Sequence, residues 1–88
     1  LDASHKVLFV SDEAADVIYV LHARTLKAAR VPVPTCRTPW RPRVFHGRLY
    51  VPCARSNAID VIDVRTYRRV RGAPFATGGF PLSVAVWP

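Results

Sequence analysis

Cysteines, histidines and clustered acids are the side chains of this chain that could do chemistry. His5, His22 and His46 lie in three separate segments, without the short spacing typical of metal ligands. Turn or strand-edge positions explain them as well as a metal would. The chain has no CxxC or CxxCH motif, so attached haem and the usual zinc and redox sites are not indicated. We therefore assign no catalytic residue, no metal and no cofactor.

Three carboxylates lie close together near the start of the chain, at Asp12, Glu13 and Asp16. Such a group could hold calcium, but the glycine-containing loop of the familiar calcium sites is missing. Solvation of a polar loop is the favoured interpretation of these acids.

An aromatic and basic cluster is the stronger candidate for binding. Trp40 is followed directly by Arg41, and Arg55 lies in the next polar loop. Tryptophan and arginine are enriched among residues that dominate binding energy. We take Trp40, Arg41 and Arg55 as candidate binding residues, with an alternative in which Trp40 packs internally and the arginines are simply solvated.

Composition limits the partners of these residues. The chain has 88 residues and a net charge of +7, and residues 24–88 carry all of the excess positive charge. This asymmetry is expected either for a chain whose partner is an anionic ligand or an acidic protein, or for an arginine-rich surface that is simply solvated. No nucleic-acid-binding motif is present, so nucleic acid is not expected as a partner. No apolar run approaches the ~20 residues of a membrane span. The chain starts without methionine and without a signal-peptide pattern, which indicates a piece of a longer protein.

An internal repeat organises the chain. Residues 8–30 align with residues 49–71 at an offset of 41 without a gap. Each copy has short apolar and β-branched runs separated by turn residues, a pattern that predicts strands. The predicted strands are 7–10, 17–21, 27–33 and 43–45, then 49–51, 59–64, 68–72 and 83–87. A connector rich in proline and glycine follows the third strand of each copy, and proline is expected outside central strands.

Four short strands per ~40–45 residues are typical of a β-propeller blade. Residues 49–53 read LYVPC, residues 57–63 read NAIDVID, and residues 79–86 read GFPLSVAV. These segments resemble the YVTN-type β-propeller repeat. Cys53 and Ser83 depart from it where Asn and Gly are usual, and His22 stands where the second copy has Asp63. The resemblance implies an all-β fold with blades of four antiparallel strands.

The strand order then predicts about two blades of a partial propeller. The four strands of a blade are lettered A to D from the central channel outward. Residues 1–40 would form strands B, C and D of a first blade with its connector, and residues 41–80 would form a complete second blade. Residues 81–88 would form strand A of a following blade. Because two blades cannot close a ring, either other copies of the chain or a longer parent chain must complete it.

In such a propeller, Cys36 and Cys53 would lie in connections on the same face. They would form either a disulfide, which suits an extracytoplasmic compartment, or two independent buried thiols. The loop face would carry Trp40, Arg41 and Arg55. We therefore expect a non-enzymatic binding or assembly module. The alternative is a part of a larger periplasmic propeller enzyme or redox complex, whose active site is shared across blades.

Overall fold

The protein is all-β, as the sequence predicts. The computed structural model describes residues 6–79, 81 and 83–85. Its strands are β1 (Val7–Asp12), β2 (Val17–His22), β3 (Val33–Pro34), β4 (Arg43–Phe45), β5 (Arg48–Cys53), β6 (Ala58–Asp63), β7 (Arg68–Arg69) and β8 (Phe75–Ala76), with one 3-10 turn at Ala54–Ser56. No helix in this part of the chain has the length and apolar character needed to cross a membrane.

The strands form two antiparallel sheets. The first sheet has the order β1-β2-β3. The second has the order β4-β5-β6-β7, and β8 also pairs with β6. Within the described residues the two sheets do not join into a closed ring, and no strand pairs with the edge of β1 opposite β2.

The long hairpins of the two sheets have the same register at an offset of 41 residues. Val7 pairs with His22 in the first sheet, and Arg48 pairs with Asp63 in the second. Both hairpin loops have four residues and end in the left-handed region, at Asp16 (φ 58°) and Asn57 (φ 51°). Asp and Asn tolerate this conformation better than most residues, which explains their equivalent positions.

The third strand of each copy is shorter and more broken than predicted. Where the sequence predicts a strand at 27–33, the structure has an isolated bridge at Ala28 and then β3. Where it predicts 68–72, the structure has only β7, and β8 forms within the predicted connector. Gly72 (φ 90°) turns the chain out of the ladder between β7 and β8.

Proline placement explains part of this difference. Pro34 was expected in the connector but lies in β3, at the edge of the first sheet, where a missing N–H disturbs no neighbouring strand. At the other end of the chain, residues 83–85 are not in a strand. Residues 86 and 87 of the predicted strand 83–87 lie outside the described residues.

The core lies between the two sheets. One face of the first sheet contributes Ile18 and Val20, and one face of the second contributes Leu49, Val51 and Ile62; all five are at most 1% exposed. Side chains alternate between faces along a strand, so each hairpin buries one set of residues in this core.

One carboxylate is buried within this apolar interface. Asp60 is completely buried, and both of its oxygens lie 2.9–3.0 Å from Nε of Arg69. Nη2 of Arg69 lies 2.9 Å from Oδ2, and the backbone N–H of Cys36 donates to the same oxygen at 3.0 Å. The charge and lone pairs of Asp60 are therefore matched by donors from two segments.

We expect Asp60→Asn to lower the free energy of unfolding by about 1–3 kcal/mol, because it weakens charge-assisted hydrogen bonds in a buried site. Part of the cost is offset because the Arg69 side chain is 43% exposed and can turn to solvent. Urea denaturation measures the change.

Asp63→Asn is the matched control. Asp63 pairs with Arg65, whose side chain is 87% exposed, at 3.8 Å. Loss of this surface pair should cost less than about 0.5 kcal/mol. Equal effects of the two substitutions would show that the contacts of Asp60 with Arg69 and Cys36 stabilise the fold no more than a surface ion pair does.

Candidate functional site

A linking segment, residues 35–42, connects the two sheets and carries the main candidate residues. Trp40 is tied to both sheets through its backbone. Its N–H donates to the carbonyl of Pro52 in β5 at 2.8 Å, and its carbonyl accepts from Ser11 Oγ in β1 at 2.8 Å. The backbone of the half-buried Trp40 is thus held between the two sheets.

The disulfide alternative for the two cysteines is the one found. Cys36 and Cys53 are bonded, with a Cα–Cα distance of 5.7 Å. The bond fastens the start of the linking segment to the end of β5. Pro39 forms an isolated bridge with Cys53, so the segment follows the strand end beyond the disulfide.

The hairpin loops hold the middle of the linking segment. The backbone N–H of Thr38 donates to Asp16 Oδ1 at 2.9 Å, and that of Arg37 donates to Ser56 Oγ at 2.7 Å. One loop belongs to each sheet. The segment is therefore fixed by two loops, a disulfide and Asp60, and its side chains have a rigid support.

A cleft of about 370 Å³ opens beside this segment. Its lining residues are Ser11, Glu13, Pro39, Trp40 and Arg41. Its lining thus includes an aromatic, a basic, an acidic and a hydroxyl-bearing residue. Two of the three residues predicted to bind, Trp40 and Arg41, lie together here.

Arg55, the third predicted binding residue, does not line the cleft. It lies in the 3-10 turn at Ala54–Ser56 and is exposed. The adjacent Ser56 accepts the hydrogen bond from Arg37. Arg55 therefore lies in a loop that contacts the linking segment through Ser56.

Two of the three clustered acids have structural roles. Asp12 Oδ1 accepts hydrogen bonds from the backbone N–H groups of Ala14 and Ala15, and Asp16 holds Thr38. Glu13 is exposed and lines the cleft. Among the described residues, no three His, Cys, Asp or Glu side chains are grouped in a way that could hold a metal ion. His5 lies outside those residues.

A hydrogen bond between Asp12 and Tyr19 supports the loop that carries Glu13. Tyr19 Oη donates to Asp12 Oδ2 at 2.7 Å. This bond, helped by the N–H groups of the loop, lowers the pKa of Asp12 from its usual value. The same bond, with desolvation and the negative charge of Asp12, raises the pKa of Tyr19.

The sequence interpretation missed several residues of this region. Sequence patterns place Asp60 only within the NAIDVID segment and do not single out Arg69 or Arg30 as site residues. Arg69 neutralises the buried Asp60, and the Arg30 guanidinium stacks 4.7 Å from the ring centroid of Tyr67. An acid within an otherwise apolar strand, with an arginine nine residues later, is the signal that could have identified the first pair.

Replacing Asp12 by Asn should lower the pKa of Tyr19 toward its ordinary value, because the carboxylate that disfavours tyrosinate is lost. Carbon-13 NMR of labelled tyrosine measures the pKa of Tyr19. Only three tyrosine signals have to be assigned, because the chain has three tyrosines. Asp16→Asn is the control from the same loop and should leave the pKa of Tyr19 unchanged. A Tyr19 pKa that is the same in wild type and Asp12→Asn would contradict the bond.

The pH dependence of stability follows from the two shifts. Because the pKa of Asp12 is lower in the folded than in the unfolded chain, its ionised form stabilises the fold at pH values above the unfolded pKa of about 3.9. This contribution is lost as the pH falls through the pKa of Asp12 in the folded chain. The raised pKa of Tyr19 contributes below pH ~10 and is lost as pH rises through the folded pKa. Asp12→Asn should therefore make the free energy of unfolding depend less on pH, both at acidic and at alkaline pH.

The disulfide should make the stability of the chain sensitive to reductant. Reduction of the wild-type chain should lower the free energy of unfolding by roughly 3 kcal/mol, as expected for a loop of this size from the chain-entropy model. Urea denaturation with and without excess reductant measures the difference on the same sequence. Two titratable thiols in the untreated, denatured protein would contradict the bond.

Comparison with protein-family models, with curated proteins and with solved structures finds no match to this chain. The chemistry of the cleft therefore stands on its own residues. Its Trp40 and Arg41 lie on the linking segment, which is held by the disulfide and by a hydrogen bond to the buried Asp60.

Proposed function

We propose that this chain is a non-enzymatic binding and assembly module, a β-propeller segment of about two blades. The observation that carries the proposal is the common register of the two hairpins, at an offset of 41 residues. Farther out, the Leu21–Ala28 bridge corresponds to the Ile62–Arg69 pair at the same offset. The outer strands β3 and β8 pair with equivalent residues of β2 and β6, but their own offset is 42. Consecutive blades of a propeller are repeats of this kind.

The two sheets differ at one edge, and this difference favours assembly. In the second sheet β4 covers the edge of β5. In the described part of the first sheet, no strand takes the equivalent place beside β1. An open strand edge is a template for pairing with another chain. Other copies of the chain, or the rest of a longer parent chain, would complete the ring.

The loops around the linking segment would then bind the partner. Trp40 and Arg41 line one cleft, with Arg55 in the next loop. The excess of positive charge in residues 24–88 favours an anionic ligand or an acidic protein. A rigid aromatic beside arginines is a common centre of binding energy. Glu13 would select against partners that place a second negative charge beside it.

The disulfide supports an extracytoplasmic location for the module. Structural disulfides persist in secreted and periplasmic proteins and are rare in the reducing cytosol. Fixing the linking segment by a covalent bond also suits a small domain, which has limited apolar surface to bury.

Light scattering on the purified, oxidised chain tests the assembly. We expect a discrete oligomer of roughly three or four copies, which would give six or eight blades, within the usual propeller range. Each copy contributes 9.8 kDa.

A hydrogen-exchange measurement on the same sample completes the test. If the chain remains a monomer, β1 amides should exchange faster than those of β6, which has strands on both edges. That result would assign ring completion to a longer parent chain. A monomer in which β1 is as protected as β6 would contradict both ways of completing the ring.

A further inference from the structure

The first sheet exposes an apolar face. Leu8 and Val10 are 42% and 43% exposed, and their cross-strand partners Leu21 and Tyr19 are only half-buried. These four residues are named here the outer face of the first sheet. An apolar group of this kind on one side of a sheet is typical of a surface that docks against something.

The equivalent face of the second sheet is buried. At an offset of 41, the four positions correspond to Leu49, Val51, Asp60 and Ile62. None of these four is more than 1% exposed, and they pack against the first sheet. The same positions of the repeat are thus covered in one sheet and uncovered in the other.

The chain also carries the other half of this interface. The first sheet uses Phe9, Ile18 and Val20 to cover the second sheet. At the same offset, the second sheet has Tyr50, Ile59 and Val61. Tyr50 and Ile59 are half-buried and similar in size and character to Phe9 and Ile18, whereas Val61 is already buried, at 4% exposed. We name Tyr50 and Ile59 the outer face of the second sheet.

We infer that a second copy of this chain docks head to tail, with its second sheet's outer face against the first sheet's outer face. This inference rests on the proposed function and specifies its interface. The contact between copies would repeat the contact within the chain. Such a contact joins two different surfaces, so it extends from copy to copy until a ring closes.

Polar groups on the exposed face are compatible with burial. Tyr19 occupies the position of Asp60, and its hydroxyl is already bonded to Asp12. Asp12 in turn accepts N–H groups of its own loop. Docking would therefore cover Leu8 and Val10 without leaving an unpaired buried polar group beside them, the usual penalty for covering a mixed surface.

Charges placed separately on the two faces test the inference. Leu8→Lys blocks the first face and Tyr50→Lys blocks the second. We expect each variant alone to associate at least about tenfold more weakly than wild type, because a charge replaces a buried apolar contact. An equimolar mixture should form a dimer of one copy each, since each variant keeps one intact face. Val31→Lys, at a position 69% exposed and on neither face, should assemble like wild type.

Light scattering gives the masses, and circular dichroism confirms that each variant is folded. If Tyr50→Lys unfolds, Ile59→Lys takes its place. A Leu8→Lys variant that assembles like wild type would overturn the inference but leave assembly itself standing. Dimers of Tyr50→Lys alone would show that like faces meet, which also overturns it. A monomeric wild type would overturn the inference, and hydrogen exchange at β1 then decides the proposed function separately.

Discussion

The contact between the two sheets is the interaction on which the rest of the structure depends. Ile18 and Val20 of one sheet meet Leu49, Val51 and Ile62 of the other, and all are essentially inaccessible to water. Each such side chain contributes about 1.5–3 kcal/mol when fully buried. Neither hairpin alone could bury an apolar face, and a lone two-stranded hairpin is at best marginally stable. The fold therefore exists as a pair of sheets or not at all.

The linking segment connects that contact to the proposed binding surface. Asp60 lies in the interface and accepts the N–H of Cys36, so the residue that begins the segment is fixed from inside the core. The disulfide to Cys53 fixes it covalently. Beyond this point the segment must follow the strand end, which leaves Trp40 and Arg41 at the cleft with little freedom. Restricting side chains before a partner arrives lowers the entropy lost on binding.

The two long hairpins could be predicted from the sequence because hairpins are governed by local patterns. Alternating β-branched residues and the Asp16 and Asn57 turns determine both long hairpins. The broken outer strands could not be predicted well, since Ala28 and β8 pair only where tertiary contacts allow. The candidate site was predicted in part. Trp40 and Arg41 were recognised by residue type. Glu13 lines the cleft because of the path of its loop, and that path depends on the hydrogen bond between Asp12 and Tyr19.

In this chain of two similar sheets, one face of each sheet forms the inner contact, and the opposite face of each sheet does not take part in it. The inner contact uses one face of each sheet, so the opposite faces keep residues of the same kind with nothing from the described chain fully covering Leu8 and Val10. Burial of apolar surface favours covering them, and the open edge of β1 favours strand pairing in the same place. Both tendencies favour contact with a further sheet beside the first one. The proposed assembly would then follow from the same 41-residue offset that relates the two hairpins.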